Sequence, residues 1–204
     1  MRRLTEQLPL RRGAHPTREL GMCAMEMVAW LAGEPHSDEP QCACPVLAAL
    51  VRACNDTLSD ADRNRYLRPL VPRLVNTRGT AADERARGFL VVDCVVRELL
   101  PAWLQRRRLA EAARQLRELP PITDAASAHA ARFAIDAYAG EQHAASWVLQ
   151  RAIDGVAPAR YVAGLARVAS ANPAAETWPL VVARIERMAA IGRVGGALPA
   201  IDAD

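Results

Sequence analysis

Apolar positions along this chain recur mostly three and four residues apart, the period of an amphipathic helix. Leu20, Cys23, Ala24, Met27 and Leu31 make one such stripe. It predicts a helix over residues 17–31, capped by Thr17 and stopped by Gly33. Pro45 suits the first turn of a second helix, whose stripe is Leu47, Leu50, Val51 and Cys54 and whose end is Asn55 and Asp56. Ser59, followed by Asp60 and Asp62, caps a third, short helix that reaches Tyr66 and Leu67. Pro69 and Pro72 break residues 70–74 into short helical pieces, and 76–79 reads as a turn. The longest pattern starts at Thr80 and runs to about Leu100, with Asp83 and Glu84 in the first turn, where the helix dipole favours acids.

Within that pattern, residues 89–96 are dense in β-branched side chains, which suits a buried strand as well as a helix. The flanks 83–87 and 97–100 are helical and leave no turn between them and the apolar run. Helix is therefore preferred, enclosed by others on all sides. Pro101 is expected to break the chain. Further helices are predicted near 103–116, 123–138, 142–153, 158–170 and 176–191, punctuated by Pro120, Pro121, Gly140, Gly155, Asn172 and Pro173. The fold class that follows is all-α, a compact multi-helix bundle or a short array of antiparallel helical hairpins. It occupies one domain over 17–191. Residues 1–16, with Arg2, Arg3, Arg11 and Arg12 around Pro9 and Pro16, read as a flexible N-terminal arm, and 192–204 as a frayed tail.

Composition narrows the chemistry. Aromatics are only 4% of the chain, so the core must be aliphatic and alanine-rich. All 26 basic residues are arginine, which excludes a P-loop lysine, a Schiff base and a lysine general base. A net charge of +3, with acids spread among the arginines, does not by itself call for nucleic acid. The densest basic cluster, Arg106, Arg107 and Arg108, reads first as a solvated helix end and second as a phosphate-binding patch. No secretory leader is read in the opening residues, and no apolar run reaches membrane length. The expectation is a cytoplasmic protein without a membrane partner. Its five cysteines are then thiols or ligands rather than disulfides.

The densest collection of chemically capable side chains lies in the polar loop 33–45, between the first two helices and bracketed by prolines. Three kinds of chemistry are open to it. Cys42, Cys44, His36 and Cys23 supply a zinc-type ligand set, although the paired spacing of zinc motifs is missing and simple packing of the thiols is preferred. A cysteine nucleophile could use His36 as base, oriented by Asp38 or Glu26. His15, His129 and His143 stand outside any signature. Glu26, Glu34, Asp38 and Asp93 are candidates for paired acid–base work. Asp93 sits in the apolar run and needs a partner, from Arg97 one turn on or from Arg52 or Arg65 on another helix, so a structural ion pair is preferred. Ser37 and Asp38 suit a turn, and Glu34 suits backbone donors. Trp30, Trp103, Trp147 and Trp178 are isolated and read as packing anchors rather than base-stacking platforms.

The run from Cys23 to Glu26, then residues 32–38 with Pro40, Cys42 and Pro45, then Asn55, Asp56 and residues 72–79, resembles the opening of a family of alanine-rich helical proteins. That family comes from GC-rich bacteria and some of their phages. The similar part covers about 23–103. The family has no established activity, so the resemblance implies a helical, intracellular module and carries no catalytic role. The expected function is a non-catalytic helical interaction or adaptor protein, holding a protein partner or a second copy of itself. A metal-binding protein or metalloenzyme centred on the loop, with zinc as cofactor, is the second reading. An arginine-mediated nucleic-acid binder is the third.

Overall fold

The computed structural model describes residues 8–136 and 177–193. Among them the secondary structure is all-α, with no strand, so 89–96 is helical. In chain order the helices are α1 (Ala24–Leu31), α2 (Pro45–Thr57), α3 (Asp60–Tyr66), α4 (Val71–Leu74), α5 (Ala81–Cys94), α6 (Leu100–Arg106), α7 (Ala110–Glu118), α8 (Ala125–Asp136) and α9 (Thr177–Ala190). The helices predicted near 142–153 and 158–170, His143, Trp147, and most of the tail lie outside the described residues.

Local chemistry fixes the helix ends. Helix α1 starts seven residues later than the stripe predicted, because the chain first makes a 3-10 turn over Arg18–Leu20 and passes through Gly21 at φ 139°. Its true N-cap is Cys23, whose sulfur accepts from the Glu26 N–H while Glu26 accepts from the Cys23 N–H. This is a capping box with a thiol in place of the usual hydroxyl. Gly33 ends the helix as expected. It takes φ 72°, its N–H bonds the Trp30 carbonyl, and the Glu34 N–H bonds the Ala29 carbonyl, the pair of a Schellman motif. Pro45 opens α2, Ser59 caps α3, and Thr80 forms a capping box with Asp83 at α5.

Pro101 does not break the chain. Helix α5 continues through one π turn, Val95–Leu99, directly into α6. The Leu100 N–H reaches back five residues to the Val95 carbonyl. In a regular α-helix the Pro101 ring would collide with the carbonyl four residues earlier, and a widened turn relieves that collision. The break comes later instead, at Arg107 and Arg108, where Arg108 adopts φ 64° and the chain turns into α7. The stretch 103–116, expected as one helix, is therefore two that fold onto each other.

Packing organises these elements around α1. Its residues 24–29 are all buried, Glu26 included. Helix α1 packs on α2 and α4, and α2 packs on α5. Helix α9 lies across α2, α3, α4 and α5, although it is remote from them in sequence. One apolar cluster runs from Leu10 through Leu47, Leu50, Val96 and Leu104 to Ile185 and Met188. Leu10, in the segment read as an arm, is 1% exposed, so residues 8–16 lie against the body. No helix among the described residues is long and apolar enough to cross a membrane.

Three arginines fasten helix C-termini, where unpaired carbonyls and the negative dipole end attract cations. Arg63 is buried below α2 and donates to the carbonyls of Asn55 and Leu58 and to Asp60. Arg87, also buried, donates from α5 to the carbonyls of Met188 and Ile191 at the end of α9. Arg193 donates to the carbonyls of Arg73 and Val75 at the end of α4.

Candidate functional site

The most concentrated polar site lies at the N-terminus of α1 and centres on Glu26, which is 1% exposed. One carboxylate oxygen accepts from the His15 backbone N–H at 2.5 Å. The other accepts from the His15 ring Nδ1 at 2.9 Å and from the Cys23 N–H at 2.6 Å. His36 Nε2 lies 3.6 Å from the first oxygen and donates to the His15 carbonyl at 2.9 Å. These partners assign the tautomers: His15 carries its proton on Nδ1 and His36 on Nε2. Burial opposes ionisation of Glu26, but the donors from His15 and Cys23 outweigh it and hold the carboxyl below the ordinary range.

Glu26 and His36, both picked from the sequence, are thus brought together. His15 completes the cluster and stood outside any pattern. The signal that could have found this site was Cys23 and Glu26, three apart and just ahead of an apolar run. That is a capping-box spacing, and it fixes where α1 begins and where the carboxylate must point.

The other loop residues serve the loop itself. Glu34 accepts from the backbone N–H groups of Gln41 and Cys42, at 2.6 and 2.7 Å. Ser37 accepts from the Glu39 N–H. Arg52 donates to the Asp38 carbonyl at 2.7 Å and stands 3.3 Å from the Glu39 carboxylate. The Cys44 N–H donates to the buried Thr77 hydroxyl, and the Arg78 N–H to the Cys42 carbonyl. The loop is therefore fastened to α2 and to the turn after α4, and its carboxylates do not converge with Glu26 into one pocket. Asp93 is elsewhere, on α5. It pairs with Arg97 at 3.0 Å and accepts from the Ile122 N–H at 2.9 Å, tying α5 to the segment before α8. Arg52 and Arg65 have other neighbours: the 38–39 loop for Arg52 and the Tyr66 ring for Arg65.

Zinc does not fit the arrangement. Among the described residues, no group of three or more His, Cys, Asp and Glu side chains is placed to hold a metal ion. Cys23 uses its sulfur as the α1 cap, and Cys44 is buried as the N-cap residue of α2. Burial also keeps the thiols protonated, pushing Cys23 up to about 12 and raising Cys42. The same protonation works against a cysteine nucleophile.

Arg106, Arg107 and Arg108 occupy the exposed turn between α6 and α7, a solvated helix end. Arg107 lies over the Trp103 ring, 4.2 Å from its centre. Comparison with known protein families, curated proteins and solved structures gave no match for the chain.

Proposed function

We propose that this is a non-catalytic helical interaction protein, which holds a protein partner through its helical surface and takes a second copy of itself as that partner. The observation that carries this reading is the inward use of the polar site. Glu26, the carboxylate best placed for chemistry, accepts three N–H donors from its own chain, and Cys23 beside it caps a helix. Groups engaged in this way hold segments together rather than await a substrate.

The surface supplies the complementary support. On α8, Ala126, His129, Ala130 and Phe133 fall at three- and four-residue spacing and are all exposed, Phe133 by 79%. Two alanines beside His129 and a terminal phenyl ring let a second helix approach closely and cover that ring. The metal-binding reading lacks a ligand set among the described residues, and in the nucleic-acid reading, which draws on the N-terminal arm and Arg106–Arg108, Arg107 already stacks on Trp103.

Solution mass tests the proposal. A mass that rises above 22.2 kDa with concentration is expected. A single-chain mass at every concentration would retire self-association.

A further inference from the structure

We infer that Arg87 and Arg193 form a binding site for a small oxyanion of the phosphate or sulfate type, where the end of α9 meets α5 and the end of α4. The site is separate from the Glu26 cluster and goes beyond the interaction reading without resting on it.

Two guanidinium charges lie here without a counter-charge. Arg87 is 1% exposed. Its Nε donates to the Met188 carbonyl at 3.0 Å and its Nη2 to the Ile191 carbonyl at 2.6 Å. Its remaining nitrogen, Nη1, is buried and has no partner. Arg193 follows Ile191 by two residues and is half-buried. Its Nη2 donates to the carbonyls of Arg73 and Val75, at 2.9 and 2.6 Å. Carbonyls satisfy donors, but they do not neutralise a buried charge. Among the described residues, neither guanidinium forms an ion pair with a carboxylate. Asp83 stands near Arg87, but its Oδ2 accepts from the Thr80 N–H at 2.7 Å and from the Thr80 hydroxyl at 2.8 Å, in the α5 capping box. Burial and the Arg87 charge both push Arg193 down, the direction expected of two cations packed side by side. An unmade donor on a residue buried this deeply calls for a partner, and here that partner is best negative.

The chemistry of the donors selects the ligand. A guanidinium presents its N–H groups in a planar fork that matches the oxygens of a phosphate or sulfate. Two such cations favour a dianion over a single charge. The approach to the junction is lined by glycine. Gly79 and Gly192 are both exposed, and they close on Asp83 so tightly that a Cβ would lie 2.7 Å from its carboxyl group at Gly79 and 2.9 Å at Gly192. No side chain from either position stands over the site. Nη1 is closed to solvent, so the anion seats when Arg193, held through a single nitrogen, shifts to meet it.

Isothermal titration calorimetry of the full chain with inorganic phosphate, at constant ionic strength, tests the site. One phosphate is expected to bind per chain, with sulfate competing and acetate at least about tenfold weaker. Arg193→Gln is expected to weaken phosphate by about tenfold or more, and Arg193→Lys to recover part of the loss. Arg187→Gln removes an exposed cation from the same last turn of α9 and is expected to leave the affinity unchanged. Arg193 is varied rather than Arg87 because it is the less buried of the two, and helical circular dichroism confirms that each variant is folded. The inference is overturned if the native chain gives no saturable heat, or if Arg193→Gln binds as the native chain does. Equal losses in Arg193→Gln and Arg187→Gln would also overturn it, since they would mark a diffuse effect of surface charge. None of these outcomes bears on self-association, which solution mass decides separately.

Discussion

Glu26 shows how one buried charge can set several local structures together. Its carboxylate starts α1 through Cys23, holds the arm through His15, and stands within reach of His36 on the loop. Replacing it with glutamine keeps the shape but gives the three donors a neutral acceptor, and the expected cost is about 2 kcal/mol in chemical denaturation. Acid should have the same effect. Because the folded-state value is depressed, its contribution is complete above the ordinary glutamate value of 4.5 and is lost as pH falls through the lower folded value. Thermal melts from neutral pH to pH about 3 should show this loss in the native chain and a shallower decline in Glu26→Gln, the acid limb being set by the carboxylate in question. A decline of equal slope in both proteins would assign acid sensitivity to other carboxylates.

Among the elements, most helices were legible from three- and four-residue apolar spacing and from their punctuation. Gly33, Pro45, Ser59 and Thr80 all act where their chemistry predicted. The failures share a cause. At Thr17 and Pro101 a local preference was overruled by a contact or a geometry that spacing does not encode. The chain 17–22 turns to let the arm return to Glu26, and the π turn Val95–Leu99 absorbs the proline. The 103–116 stripe hid the reversal at Arg108 because both halves bury apolar faces in the same core. Helix ends also depend on remote side chains. Arg63 satisfies the end of α2 from within α3, so Arg63→Met should cost about 2 kcal/mol or more, since a charged donor to buried carbonyls disappears. Arg63→Lys should fail to restore it, because one ammonium cannot reproduce the guanidinium fork that spans Asn55, Leu58 and Asp60. Urea midpoints of the two variants decide this.

At the scale of the whole molecule, α9 returns from far along the chain to pack on helices within residues 45–94. It contacts four earlier helices, Arg87 of α5 secures carbonyls at its end, and Arg184 of α9 pairs with Glu98 in the π turn that follows α5. Nothing in the sequence pattern could pair residue 87 with 188 and 191, since a buried arginine on a helical face looks like any solvated one. The candidate site was legible to the same degree: Glu26 and His36 stood out by residue type, whereas His15 is joined to them only by the return of the arm. Arg87→Met should release α9 before the rest, read as hydrogen exchange rising in 177–190 while α1 and α2 stay protected. Simultaneous loss of protection everywhere would show that α9 is not a separable unit.

The arginine fastenings have a consequence for alkaline conditions. A chain without lysine offers acylating reagents no side-chain amine by which to loosen those fastenings. Its weakness in base is instead the sulfur buried in its centre. Burial lifts Cys23, Cys54 and Cys94 from 9.0 to about 12, so the unfolded chain sheds these protons first. Melting temperature should therefore hold until pH reaches the ordinary thiol range and then fall steadily toward about 12, and Cys54→Val should blunt that fall.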